Sequence, residues 1–110
     1  MPAKRGPLTP PIYRNRIVGQ GEVAPLDLEP SPWNWCQHPA MQKDAMAGAL
    51  RELGWIQQIV VNQRTGHLVD GHLRLAIALD AREATVPVLY VDLSEAEEKL
   101  ALVSLDPLAA

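Results

Sequence analysis

The sequence predicts an α+β domain in which about four short strands form a mixed sheet that packs with three or four helices. Runs rich in β-branched residues, at 55–62 and 85–93, are typical of strands. Residues 40–53 instead repeat apolar side chains at helical spacing. The 110 residues, of which 47% are hydrophobic, suffice for one domain with one core.

The amino-terminal segment has the opposite charge to the rest of the chain. Residues 1–21 contain four basic residues and no acid, whereas residues 22–110 contain six bases and thirteen acids. Prolines and glycines make the segment a poor helix former, so we predict a flexible basic arm over 1–21 and a domain over 22–105. Because the domain is acidic, non-specific electrostatic binding of nucleic acid to its surface is not favoured. The arm could contact DNA phosphates or an acidic partner, or be a solvated leader only.

Cysteine content and hydropathy indicate the compartment. Cys36 is the only cysteine, so an internal disulfide is excluded and a reducing environment is favoured. No apolar run approaches the roughly 18 residues of a membrane span. The basic amino terminus has no apolar segment behind it of the kind that secretion signals contain. We therefore expect a cytoplasmic protein that has no membrane partner.

The elements of the first half follow from local pattern. A short strand is predicted near 22–28, and "IYRNRIV" is at most an edge strand. The segment 29–39 holds three prolines and two tryptophans and is predicted to be a loop. A helix over 40–53 should turn its apolar stripe of Met46, Ala49, Leu50 and Leu53 inward and end at Gly54.

The second half predicts a hairpin, then a helix, a strand and a last helix. The runs 55–62 and 67–70 flank the turn "QRTG", and a helix follows over 72–80. The strand 85–93 precedes "SEAE", a capping box that begins a helix to about 104. The acidic run Glu95, Glu97 and Glu98 is interpreted as the solvated face and cap of this helix. Residues 106–110 resemble the start of a further helix, so we expect a truncated carboxyl-terminal extension.

The corner "VDGHLR" is the strongest candidate for chemistry. A strand that ends in Asp70-Gly71 and leads directly into a helix gathers unpaired backbone amides at the positive end of the helix dipole, where phosphate binds well. His72 can donate a hydrogen bond, and Arg74 offers a fork that suits phosphate. The alternative is that Asp70 and His72 cap the helix and that Arg74 pairs with a surface acid.

The segments "GWIQQIVVN", "LVDGHLRLA" and "VPVLYVDLSE" resemble the ParB/sulfiredoxin superfamily domain, particularly the ParB-like domains of phage and plasmid genes or those near DNA methyltransferases. The resemblance extends over about 23–105. It implies a small α+β fold. It also implies a nucleotide pocket between the loop before the first helix, the "GWIQ" segment and the helix after "DGH".

Individual positions match the motifs of this family unevenly. Gly71 and Arg74 match the Gly-Glu-Arg-Arg box of chromosome-partitioning ParB proteins, whereas His72 and Leu73 replace its middle residues. Asp70, Gly71, His72 and Arg74 are similar to the Asp-Gly-His-His-Arg box of free-serine kinases. Sulfiredoxins have a catalytic cysteine where this chain has His72, which argues against that reductase activity.

Other pocket positions come from the first loop and the "GWIQ" segment. Asn34 begins Asn-Trp-Cys where relatives have Asn-Pro-Arg, so the usual arginine is absent. Gln57 matches a glutamine beside the nucleotide, although it could instead face solvent. His38 and Gln42 are polar groups that could face the pocket, with a loop or cap role as the alternative for His38. His67 is expected at the surface, and no metal site is predicted.

The resemblance implies a regulatory module of a DNA-associated protein, of the chromosome- or plasmid-partition or phage type, that binds CTP or ATP with Mg²⁺. The implied partners are the nucleotide, a second copy, and DNA through the basic arm or a missing carboxyl-terminal region. Two alternatives remain open. One is a phosphotransferase or nuclease of the same fold, for which no catalytic residue can be assigned. The other is an interaction domain without a ligand.

Overall fold

The computed structural model describes residues 12–34 and 40–105. In this part of the chain, five strands and three α-helices alternate. The strands are β1 (Ile17–Val23), β2 (Glu29–Pro30), β3 (Ile59–Asn62), β4 (His67–Asp70) and β5 (Val86–Val91). The helices are α1 (Ala40–Leu53), α2 (His72–Ala81) and α3 (Glu95–Leu105). No helix among the described residues is both long enough and apolar enough to cross a membrane.

The strands form one mixed sheet in the order β1-β5-β3-β4-β2. β5 pairs antiparallel with β1 and parallel with β3, while β4 pairs antiparallel with β3 and parallel with β2. The predicted α+β class is confirmed, with five strands instead of about four. The strand predicted near 22–28 is instead the end of β1 followed by a turn of 3₁₀ helix, Pro25–Asp27, which begins at a proline. The extra strand, β2, lies in the segment 29–39, predicted to be a loop.

The first strand begins inside the segment that the sequence assigns to the arm. β1 starts at Ile17, upstream of the predicted domain start at Glu22. The Arg16 guanidinium donates to both carboxylate oxygens of Glu97, at 3.0 and 2.8 Å, and to the backbone carbonyl of Asp92 at 2.7 Å. Residues 17–21 therefore belong to the sheet. Most of the predicted arm, residues 1–11, lies outside the described residues.

The main core lies between one face of the sheet and α2. Its buried side chains are Ile59, Val61, Leu68, Leu75, Ala78, Val86 and Val88. Helix α1 adds no fully buried residue. In its predicted inward stripe, Met46 and Leu50 are half-buried but Ala49 and Leu53 are exposed. The prediction that Ala49 and Leu53 face inward is therefore wrong. The apolar stripe of α1 is wider than the surface of the helix that packs against α2.

Helix α3 starts with the predicted capping box. The Ser94 backbone N–H donates to Glu97 Oε1 at 2.8 Å, and the Glu97 N–H donates to Ser94 Oγ at 3.2 Å. The hydrogen bonds from Arg16, followed by the one from the Ser94 backbone, lower the pKa of Glu97 to about 2. Glu97 therefore joins the start of α3 to the start of β1 while it remains ionised.

The Arg16–Glu97 pair should make stability depend on pH in the acid range. The pKa of Glu97 falls from 4.5 to about 2 on folding, so its contribution is complete above 4.5 and is lost as the pH falls towards 2. We expect Glu97→Gln to be less stable than the wild type at pH 6 and to converge with it near pH 2. Urea unfolding across this range measures the difference.

The control for this prediction is Glu95→Gln, in the same helix. Its carboxylate is 66% exposed and 3.6 Å from Lys99, so its removal should change stability little. A Glu97→Gln deficit that stays constant from pH 6 to pH 2 would contradict the role of this ion pair.

Candidate functional site

The site is built on the corner where β4 ends and α2 begins. Gly71 occupies this corner with φ of 103°, in the left-handed region that favours glycine. A Cβ at this position would lie 3.1 Å from Ile59 Cγ1 and 3.4 Å from Ile59 Cα. The corner thus requires glycine both for its dihedral angle and for its close approach to β3.

The first turn of α2 contains backbone N–H groups that make no intrahelical hydrogen bond. The Leu75 N–H donates to the Gly71 carbonyl at 2.8 Å and closes the first helical turn. The N–H groups of the three residues before Leu75 precede the helical ladder and have no intrahelical acceptor. Gly71 has no side chain with which to cap them. The first turn of this ten-residue helix therefore presents amide donors and a positive dipole end.

Arg74 is the central side chain of the site and is only 5% exposed. Its Nη1 donates to Gln57 Oε1 at 3.3 Å, and its Nη2 lies 3.9 Å from the Asp70 carboxylate. Its Nε is buried and has no hydrogen-bond partner among the residues that the structure describes. Arg74 is therefore buried and not at the surface, and the acid that it faces is Asp70, whose side chain is 25% exposed. We call Gln57, Asp70, Gly71 and Arg74 the Arg74 cluster.

A cation buried this deeply is costly unless it is fully paired and hydrogen-bonded. The Asp70 carboxylate lies beyond hydrogen-bond distance, and the Gln57 contact is long. The Arg74 cluster therefore leaves part of the positive charge of the guanidinium uncompensated, next to the amino terminus of α2.

Of the other predicted site residues, the structure describes His72, Gln42 and Asn34. His72 is the first residue of α2 and is half-buried. Gln42 is half-buried in the first turn of α1, and the Asn34 N–H donates to the Ser31 carbonyl at 3.1 Å. His38, with Trp35 and Cys36, lies outside the described residues. Leu73, which replaces an arginine of the ParB box, is 2% exposed.

An apolar cavity of about 90 Å³ adjoins Arg74. Its walls come from the second half of α1, which is not a predicted wall of the pocket, and from the segment 54–57, which is one. The lining residues are Met46, Ala49, Leu50, Leu53, Gly54, Ile56, Gln57 and Arg74. The structure thus joins an apolar recess and a buried cation at one place.

A second polar cluster centres on Glu98, which is completely buried. Its carboxylate accepts hydrogen bonds from Asn62 Nδ2 at 2.8 Å, from Ser31 Oγ at 3.0 Å and from Thr65 Oγ1. His67 Nδ1 lies 2.9 Å from the same carboxylate. Burial raises the pKa of Glu98, but the hydrogen bonds outweigh it and the net pKa is lowered. We call these five residues the Glu98 cluster.

The Glu98 cluster corrects two predictions. Glu98 does not belong to the solvated face of α3. His67 is half-buried, and the centroid of its ring lies 5.9 Å from that of the Trp33 ring in an edge-to-face arrangement. The sequence contained one signal of the cluster, since polar Asn62 ends the apolar strand β3 and is buried there. Across residues 12–34 and 40–105, no three His, Cys, Asp or Glu side chains are placed to hold a metal ion.

Neither a protein-family model nor a curated protein matches the sequence. Solved structures do match. A pNOB8-like ParB N-domain superposes in two structures with TM-scores of 0.67 and 0.64, both at 18% identity. The C-terminally truncated chromosome-partitioning protein ParB from Caulobacter crescentus, complexed with CTP-γ-S, superposes with a TM-score of 0.67 at 21% identity. The chain has the fold of a ParB N-domain.

The resemblance to ParB in the sequence is thus confirmed at the level of the fold. The superpositions include 84% to 86% of this chain. They include 39% and 37% of the two pNOB8-like chains and 56% of the Caulobacter chain. This ParB-like domain therefore corresponds to a part of each of these longer proteins.

Alanine at Gly71 should destabilise the domain more than alanine at Gly66. Both glycines have positive φ, but a Cβ at Gly66 meets nothing within 4 Å, whereas a Cβ at Gly71 meets Ile59 and Arg74. We expect Gly66→Ala to cost about 1 kcal/mol for its dihedral angle alone. Gly71→Ala should cost about 2 to 3 kcal/mol, because strain and crowding add. Urea unfolding of the two variants gives the comparison, and equal losses would contradict the close approach at the corner.

Proposed function

We propose that this ParB-like domain binds a nucleotide whose phosphates lie at the amino terminus of α2 beside Arg74. The observation that carries the proposal is the buried Arg74 guanidinium. Among residues 12–34 and 40–105, its Nε has no hydrogen-bond partner and the carboxylate paired with it, that of Asp70, is 3.9 Å away. A phosphate oxygen is an acceptor of the right charge and geometry for this guanidinium. The nearby helix amides would supply further donors.

Each member of the Arg74 cluster has a distinct role in this proposal. Gly71 allows the backbone to approach the phosphate closely, because no side chain stands in the way. Gln57 holds Nη1 and so orients the plane of the guanidinium. Asp70 balances part of the charge when no ligand is bound, and His72 would add a donor at the first position of the helix. Asn34, His38 and Gln42 stay as predicted contributors from the loop and from α1.

CTP is the first nucleotide to test, and ATP is the second. The Caulobacter ParB structure contains CTP-γ-S, and its fold is shared by this chain. Mg²⁺ would accompany the triphosphate, bound mainly by phosphate oxygens and water, as is usual for this ion. The apolar cavity next to Arg74 is a suitable neighbour for the base or the sugar.

The wider role that we propose is regulation of a DNA-associated protein in the cytoplasm, through this domain and a second copy of it. Arg16 is engaged with Glu97, so it contributes less to DNA contact than the sequence suggests. Arg14, whose side chain is 77% exposed, is more accessible to DNA phosphates, and Lys4 and Arg5 stay as predicted contacts. A region outside this sequence could supply the specific DNA contacts.

An interaction domain without a ligand is the second candidate. Leu73 favours it, because this position packs in the interior and adds no charge to the site. Asp70 favours it as well, because it already offsets part of the Arg74 charge. Nucleotide binding separates this candidate from the first, and turnover of a bound nucleotide would favour a phosphotransferase or hydrolase.

Calorimetric titration with CTP, ATP, GTP and ADP in the presence of Mg²⁺ tests the proposal. We expect saturable binding of one triphosphate and a loss of at least tenfold in affinity for Arg74→Lys, since lysine cannot reproduce the planar fork. Arg74→Ala should abolish binding. Arg82→Ala is the matched control, because it removes an exposed arginine from the opposite end of α2 and changes the net charge equally.

The melting temperature of each variant shows whether the domain still folds. Equal losses of affinity in the Arg74 and Arg82 variants would indicate an unspecific effect of charge. Absence of binding by the wild type to all four nucleotides would overturn the proposed function and leave the interaction domain.

A further inference from the structure

We infer that Glu98 is a positioning residue for the candidate nucleotide site, because one buried carboxylate holds both the loop after β2 and the strand that leads to Gly71. The inference rests on the proposed function for its ligand. Its structural part concerns residues that the family resemblance did not assign to the pocket.

The first connection runs from Glu98 to the loop that precedes α1. Ser31 Oγ donates to Glu98 Oε2 at 3.0 Å, and Ser31 is itself 4% exposed. The same residue organises the following turn. Its Oγ accepts from the Trp33 N–H at 3.4 Å, and its carbonyl accepts from the Asn34 N–H at 3.1 Å. Release of Ser31 from Glu98 would therefore loosen the turn that holds Asn34.

The second connection runs from Glu98 to the Gly71 corner. His67 contacts Glu98 Oε2 and is the first residue of β4. This strand is only four residues long and ends at Asp70, directly before Gly71. Thr65 Oγ1 donates to Glu98 and also accepts from the His67 N–H at 3.1 Å, so the start of β4 is held twice.

Because of the sheet register, the two segments that Glu98 holds lead to the same edge of the sheet. β2 and β4 are parallel neighbours, with Glu29 opposite His67 and Pro30 opposite Leu68. Because parallel strands have their carboxyl ends at one edge of a sheet, the loop after Pro30 and the corner after Asp70 emerge together. Glu98 therefore fixes the spacing between two walls of the proposed pocket.

Because Glu98 is buried, replacement of one of its carboxylate oxygens should disturb this arrangement. A desolvated carboxylate keeps its donors in place only while it can accept from all of them. Glutamine preserves the size of the side chain but replaces one acceptor oxygen with a donor NH₂ group. Either Ser31 and His67 on Oε2, or Asn62 and Thr65 on Oε1, would lose their acceptor.

The experiment compares Glu98→Gln with Glu97→Gln, its neighbour in α3. Glu97 bonds to Arg16 and Ser94 and lies outside the Glu98 cluster. Nucleotide affinity and amide hydrogen exchange are measured for both variants and for the wild type. We expect Glu98→Gln to weaken nucleotide binding about tenfold and Glu97→Gln to change it less than twofold.

Amide hydrogen exchange distinguishes a local effect of Glu98→Gln from a general loss of stability. In Glu98→Gln, the amides of Trp33, Asn34 and Leu75 should exchange at least tenfold faster than in the wild type, while the amides of the β1–β5 ladder match those of the wild type. Uniform acceleration across the domain would overturn the inference, as would unchanged nucleotide affinity. If Glu98→Gln does not fold, Ser31→Ala, which removes one donor only, should accelerate Trp33 and Asn34 selectively and weaken binding.

Failure of the proposed function gives a different result. If the wild type binds no nucleotide, the proposed function is wrong, and exchange alone then decides whether Glu98 holds the two walls. Selective acceleration at Trp33, Asn34 and Leu75 would support the positioning role, and its absence would refute it. Nucleotide binding by the wild type that Arg74→Ala abolishes and Glu98→Gln leaves intact would refute the inference while supporting the function.

Discussion

The burial of the Glu98 carboxylate is the constraint on which much of this structure depends. An ionised carboxylate removed from water is stable only when its oxygens accept several good hydrogen bonds. Here the donors come from the β2 loop, the end of β3, the turn and the start of β4. The helix that carries Glu98 is thereby joined to three strands through one side chain.

Among the residues that the structure describes, Arg74 is the other buried charged side chain, and it differs from Glu98 in how well it is paired. A carboxylate oxygen of Glu98 lies within hydrogen-bond distance of each of its polar neighbours, as expected of a group with a structural role. Within the same part of the chain, Arg74 has one long hydrogen bond, a carboxylate at 3.9 Å and no partner for Nε. An uncompensated buried charge destabilises the folded state. Its presence therefore indicates a site at which a ligand or another function offsets this cost. This difference is the physical basis for the proposal that the Arg74 cluster binds a ligand, whereas the Glu98 cluster has a structural role.

Likeness to ParB N-domains at 18% to 21% identity shows how few positions define this fold. In this chain, the strand-to-helix corner restricts the residue type, because Gly71 has a positive φ and a Cβ there would crowd Ile59. Most other core positions need only an apolar side chain of suitable volume. A shared fold does not determine activity, which depends on particular side chains at the site. Those side chains therefore carry the functional argument here.

The sequence by itself determined the local elements: α3 with its Ser94–Glu97 capping box, the β3–β4 hairpin and the glycine corner before α2. These depend on residues close together in the chain, so pattern and spacing suffice. Only the tertiary structure decided that Arg16 bonds to Glu97 across 81 positions, which brings β1 into the sheet. It also decided that Glu98 is buried and that half of the α1 stripe is exposed. Such features arise from contacts between distant segments, and periodicity along the chain holds no information about them.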